Sequence, residues 1–176
     1  TNFMRKVYVK CMDVKPNLEV SAAVVTWAPG PSTSTRSAFQ ATRPYYQVFQ
    51  DWDAWTQEGI LDTCYTMNYF NQSGAYASEY VDWMNFQKDR KFNRRTVVGP
   101  GIYINSLSDA ILQLDMTRDA SGNGYYAEGF SGYSYRLPYL SGVWSTFKAS
   151  LKANITPTWD SAPTMSWKSS PTKGHV

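Results

Sequence analysis

Four short apolar runs, near residues 20, 62, 96 and 126, are separated by longer stretches whose apolar residues recur at three and four positions. A strand period and a helix period that alternate every ~30 to 40 residues are the mark of βα units and a parallel sheet, so the chain is read as α/β. Four parallel strands raise a difficulty of their own. A closed (β/α)8 barrel needs eight, and four leave two open edges and one uncovered face. The residues leave three arrangements open: a piece of a longer barrel, a pairing of two copies, or a small open sheet.

In the first unit, Phe3, Val7, Cys11 and Val14 predict a helix over residues 2–15 that Pro16 ends. LEVSAAVVT, residues 18–26, reads as a buried strand ending at Trp27. The segment from Ala28 to Arg43 reads as a long polar loop, a kind that is usually functional or mobile. Tyr45, Val48, Phe49, Trp52 and Trp55 then predict one amphipathic helix with Pro44 in its first turn and Gly59 as its stop. Ile60 to Met67 is too short for such a helix and reads as a strand that carries Asn68 and Tyr69 at its end.

Ser78 reads as the N-cap of a helix reaching about Phe92, with Val81, Trp83, Met84 and Phe86 available to pack. Arg95 to Gly99 is the third strand, and Ser106 with Asp109 resembles a capping arrangement for a helix to Ala120 that buries Leu107, Ala110, Ile111 and Leu114. SGNG breaks it, Tyr125 to Phe130 is the fourth strand, and a helix over residues 141–152 closes the repeats. The domain is therefore placed at residues 1–152. Residues 153–176, rich in Pro, Ser and Thr, read as an extended tail or linker that drapes over it through Trp159 and Trp167.

Composition narrows the chemistry. The only histidine is His175, in the tail, which argues against Ser-His-Asp, Cys-His and His-metal chemistry within the chain. Cys11 and Cys64 lack metal-ligand spacing and read as two buried thiols, so neither a metal nor a cofactor is expected. The run KDRKFNRR, residues 88–95, falls at a helix end where cations complement the dipole, and no second basic stripe accompanies it, so nucleic acid is not an expected partner. No apolar stretch is long enough to span a membrane. The first residue is Thr1, inside a helical pattern and without an initiator Met, so the natural start, with any targeting segment, is expected to lie upstream.

Seven tryptophans and thirteen tyrosines suit a protein that stacks flat faces, against sugar rings or within its own core. In βα folds the site lies at the C-terminal ends of the strands. Those ends supply Trp27; Asn68, Tyr69 and Asn71; Tyr103 and Asn105; and Ser131, Tyr133 and Tyr135. Aromatics and amides of this kind stack on sugars and hydrogen-bond their hydroxyls. Glycosidases also need two carboxylates flanking the bond, and the loops after these strands carry none. Glu128, on the fourth strand, is the catalytic candidate. Asp62 opens its strand and reads as structural. Asp51 is read as capping or orienting a neighbouring loop and is grouped with the substrate-binding residues Trp27, Asn68, Tyr69, Asn71, Tyr103 and Tyr133.

QDW (residues 50–52), WTQEGILD (55–62), the strand end Met67-Asn68-Tyr69, GPGIY (99–103) and GFSGYSY (129–135), taken in that order, resemble the family 10-like glycoside hydrolase domain, an exported bacterial TIM-barrel family. The resemblance extends to about Leu151 and covers the second half of that barrel. Thr66 departs from it, standing where the family usually has Pro. The resemblance implies a (β/α)8 barrel of which this chain supplies about the last four βα units. It implies a secreted or cell-envelope setting and a polysaccharide or cell-wall glycan as substrate. It also implies that at least one catalytic carboxylate lies in the other half, which is supplied by an upstream segment or by a second copy. The rival expectation is a non-catalytic carbohydrate-binding protein on the same scaffold. A third, an assembly module with no ligand, would use the aromatics as interface.

Overall fold

A computed structural model describes residues 1–118, 127–136, 142–158, 161 and 164–168. The chain runs through α1 (Asn2–Val14), β1 (Ser21–Val25), α2 (Arg36–Gln40), α3 (Arg43–Tyr46), α4 (Trp52–Gln57), β2 (Thr63–Asn68), α5 (Ala77–Asp89), β3 (Arg95–Pro100), α6 (Leu107–Met116), β4 (Gly129–Phe130) and α7 (Trp144–Ser150). The strands form one sheet in the order β1-β2-β3-β4, every neighbour parallel. The expected α/β class and parallel sheet are thus present.

Alternation along the strands gives the sheet two different faces. In register, Val24, Thr66, Val98 and Phe130 share one, and Ala23, Tyr65, Val97 and Gly129 the other. The first face meets the helices. Val24, Cys64 and Val98 lie in one core with Phe39, Trp52, Trp55, Tyr80, Trp83 and Phe86, while Phe130 packs into a second with Ala110, Leu114 and Phe147. No residue of the second face belongs to either core, and Ser21 and Ala23 there are exposed. A doubly wound sheet reverses its strand order and covers both faces. This one keeps sequential order and packs its described helices on a single face.

Several elements differ from expectation for physical reasons. The single helix expected between Pro44 and the stop at Gly59 is two short helices, because Phe49 takes a left-handed φ of 59° and stands 79% exposed. The break releases Gln50 and Trp52 to bind the backbone of Val25, whose N–H donates to Gln50 Oε1 (2.8 Å) and whose carbonyl accepts from Trp52 Nε1 (3.2 Å). The polar loop before it contains α2, which Thr35 caps by accepting from the Ala38 N–H. That helix sinks Phe39 completely, 4.7 Å from the Trp52 ring and stacked at 5.6 Å on Phe86.

In α1, no residue is fully buried: Phe3 and Val14 are exposed, while Met4 packs on the core and Tyr8 reaches Asp62, so its half-buried face is rotated from the expected one but keeps Val7 and Cys11. Cys11 is half-buried and Cys64 fully buried, and both are free thiols. Helix α5 starts at Ala77 with Tyr76, not Ser78, before it, and it ends at Asp89 ahead of positive φ at Phe92 and Asn93. Ser106 caps α6 as expected, accepting from the Asp109 N–H. Of the fourth expected strand, Gly129 and Phe130 are extended in the sheet, and residues 125 and 126 lie outside the described residues. The SGNG break, Trp159 and His175 lie outside them too. Among the described residues no helix is long and apolar enough to cross a membrane.

Beneath the sheet, at its strand N-terminal ends, Asp62 is fully buried. Its carboxylate accepts from the Val20 N–H (2.8 Å), the Tyr8 hydroxyl (3.1 Å), Trp167 Nε1 (2.8 Å) and Lys168 Nζ (2.6 Å). The tail therefore folds back through Trp167 and Lys168, and Asp62 is structural. Burial and the Asp62 charge together push the Tyr8 phenol up to about 12. Truncation before Ser166 is expected to lower the unfolding free energy by about 3 kcal/mol, since it strands a buried carboxylate. Denaturant titration of the truncated chain checks this.

Candidate functional site

Three tyrosines emerge from the C-terminal ends of β2, β3 and β4 and meet. Tyr69 directly follows β2; Tyr103 lies in the turn after β3; Tyr133 bridges to Gly101 just past β4. The rings of Tyr69 and Tyr133 stack at 5.3 Å, and Tyr103 stands edge-on to both, at 5.9 and 5.7 Å. Tyr103 and Tyr133 remain about half exposed, so the cluster presents ring faces to solvent. Partial burial, then the neighbouring Tyr133 and Tyr103, raise the Tyr69 phenol above its ordinary value.

Beside them, at the end of β1, Trp27 is held by its backbone. Its carbonyl accepts from Trp83 Nε1 (3.3 Å), and three residues on, the Gly30 N–H donates to Glu79 Oε2 (2.5 Å). The Arg43 guanidinium lies 4.8 Å from the centre of the Trp27 ring. Between Trp27 and the tyrosines opens a cleft of about 580 Å3 lined by Val25, Thr26, Arg43, Met67, Tyr76 and neighbouring residues, Tyr69 and Tyr103 among them.

The structure thus brings Trp27, Tyr69, Tyr103 and Tyr133 to one place. Asn68 is not part of that surface. Strand alternation sets it on the face of Cys64 and Thr66, fully buried, where its Oδ1 accepts from the Thr26 hydroxyl at 2.8 Å. Asn71 is exposed but spans two loops, donating to the Ile104 carbonyl and accepting from the Ser73 N–H. Asn105 does the same from the other side, binding the Phe70 and Gly101 carbonyls and the Gln72 N–H. Asp51 is engaged by Arg36 through two bonds of 2.5 and 2.7 Å, which accords with a loop-orienting role.

Glu128 lies at the opposite end of the sheet from the cleft. It precedes β4, and its Oε2 accepts from the N–H and hydroxyl of Thr96, near the start of β3, while Lys91 pairs with its Oε1 at 2.6 Å. The sequence places it near a strand end, but with β4 reduced to two residues that end is the N-terminal one. Burial acts to raise its carboxyl, and the bonds from Lys91 and Thr96 outweigh burial and hold it below the ordinary value. A depressed carboxyl stabilises the fold above the unfolded pKa of about 4.3 and loses that contribution as pH falls through the folded value. The melting difference between wild type and Glu128→Gln is therefore expected to be largest at neutral pH and to shrink as pH falls below the unfolded pKa of about 4.3. A difference that does not change with pH through the acid range would count against this assignment.

Sequence reasoning missed Arg43, Thr26 and Tyr76. Arg43 could have been found from Pro44, which marks a helix start and so places Arg43 in the first turn of a helix, the end that lies toward the strand C-terminal ends in a βα unit. Among the described residues, no cluster of His, Cys, Asp and Glu is built to hold a metal ion. No family model, curated protein or solved structure matches the chain.

Proposed function

We propose that the chain forms about the last four βα units of a (β/α)8 barrel of the family 10-like glycoside hydrolase type, and that it supplies the glycan-binding surface of that domain. The observation that carries this is the exposed cluster of Tyr69, Tyr103 and Tyr133 at the strand C-terminal ends, beside Trp27 and an open cleft. Flat rings at that end of a barrel are suited to stacking on sugar faces. Sequential parallel order with helices on one face supports the barrel, because that winding curls a sheet toward closure.

The substrate on this reading is a polysaccharide or cell-wall glycan met outside the cytoplasm. The lining of the cleft contains no carboxylate, so the acids that hydrolyse the bond would come from outside this chain. That same absence favours a second reading, a carbohydrate-binding protein without catalysis.

Calorimetric titration with cell-wall and other polysaccharide fragments tests both. Tyr69→Ala is expected to weaken binding by about 30-fold, the effect of roughly 2 kcal/mol lost at the centre of an aromatic cluster. Unchanged affinity in Tyr69→Ala and Tyr133→Ala would remove the site. The purified chain alone is expected to release no sugar, and hydrolysis that disappears in Glu128→Gln would make Glu128 catalytic after all.

A further inference from the structure

Arg5, Arg36, Arg90 and Arg95 each meet a carboxylate, of Glu58, Asp51, Asp53 and Glu19 respectively. Among the described residues Arg43 has no carboxylate partner, and unlike Arg94 and Arg118, which bind the carbonyls of Gly59 and Ile155, it also has no backbone carbonyl on its terminal nitrogens. Its Nε donates to Gln47 Oε1 at 2.7 Å, its guanidinium rests on the Trp27 ring, and its two terminal nitrogens make no hydrogen bond there. It is also the one charged residue in the lining of the cleft. A guanidinium held at its Nε and over an aromatic ring is oriented before any ligand arrives, and its terminal pair matches the two oxygens of a carboxylate.

We infer that this cleft selects an acidic glycan, one whose sugar units carry carboxylates, and that Arg43 receives the carboxylate while the tyrosines stack on the rings. The inference rests on the glycan reading of the cleft and adds the charge class of the sugar. A neutral sugar would leave the Arg43 donors to water, whereas a carboxylate would pair with them in a partly enclosed, aromatic-walled site. Screening by salt is then part of the signature, because Arg43 is exposed.

The test uses the full chain and three probes: oligogalacturonate, a hyaluronan hexasaccharide and peptide-free cell-wall glycan strands, each titrated as the free acid and as its methyl ester. The ester keeps the shape and removes the charge. At least one acid form is expected to bind about tenfold more tightly than its ester at low salt, with the gap narrowing as salt rises. Arg43→Gln is expected to abolish that gap by lowering the affinity of the acid to that of the ester. Arg43→Lys keeps the charge without the fork and is expected to restore only part of the gap.

Equal binding of acid and ester, or a gap that survives Arg43→Gln, would overturn the acidic-glycan inference and leave the glycan site standing. Failure of every acid and every ester to bind would remove the glycan reading and this inference with it. Both variants change an exposed side chain, and melts equal to wild type confirm that the loss is at the site.

Discussion

Asp53→Asn is expected to lower the unfolding free energy by about 3–5 kcal/mol, the cost of breaking a buried ion pair from one side. Asp53 has no exposed surface, and its carboxylate receives Arg90 Nε at 2.5 Å, Arg90 Nη2 at 3.0 Å and Arg36 Nη1 at 3.1 Å. Arg36 in turn holds Asp51. The four side chains tie α2, the start of α4 and the residue that ends α5 into one unit. Removing the charge leaves a nearly buried Arg90 guanidinium without its anion. The double change Asp53→Leu with Arg90→Met is expected to cost less than the Asp53 change alone, because the pair is then absent rather than broken. Urea titrations of the two singles and the double measure the coupling. A single-variant loss under about 1 kcal/mol would mean that solvent reaches and compensates the network. The unit borders the cleft, since Arg43 begins α3 three residues after α2 ends and the Trp27 carbonyl accepts from Trp83 of α5.

The parts of the fold legible in the sequence are those decided by local chemistry. Gly59 stops a helix because it takes a φ of 75° that other residues resist, and Ser106 caps α6 with its own hydroxyl. The buried runs of β2 and β3 declare themselves in the same way, whereas β1, expected to be buried, buries only Val24 within the strand. What escaped was decided at a distance. Nothing near Phe49 in sequence says that Gln50 and Trp52 must reach the backbone of Val25, and this tertiary demand overrides a good helical period. Asn68 is a different case. Alternation through Cys64 and Thr66 already assigns it to the helix side, so its burial was readable by counting in twos. The direction of Glu128 was not readable, because it depends on where a two-residue strand begins. The aromatic cluster was readable in outline because strand ends converge in any parallel βα arrangement. Arg43 was hidden within what read as a polar loop.

The uncovered side of the sheet leads to the other large effect: the 176-residue chain is expected to self-associate and to bind hydrophobic dye. The exposure is concentrated at β1: Ser21 and Ala23 are exposed there and Val25, Tyr65 and Met67 partly covered, while Thr63 and Val97 on the same face are buried. An apolar patch of about 500 Å2 left wet would cost on the order of 12 kcal/mol, comparable with the stability of a whole domain. The edge of β1 adds unmet hydrogen bonds. Val20 accepts from β2, so by alternation Ala22 and Val24 also point their backbone groups toward β2, while Ser21, Ala23 and Val25 point theirs outward. Val25 is satisfied by Gln50 and Trp52, whereas the outward groups of Ser21 and Ala23 have no partner among the described residues. The half-barrel proposal fills this edge with the preceding strand of the barrel, and a second copy is the weaker alternative. Ala23→Pro separates pairing from folding, because it deletes an amide that bonds nothing in the chain and blocks an incoming strand. It is expected to keep the melt and to abolish association with a separately supplied preceding half. Ala22→Pro deletes a bond to β2 and is expected to destabilise the fold itself. Light scattering and dye binding decide the matter: a monodisperse monomer that binds no dye and melts cooperatively would remove the half-barrel proposal, and the four strands would then be a sheet complete in itself.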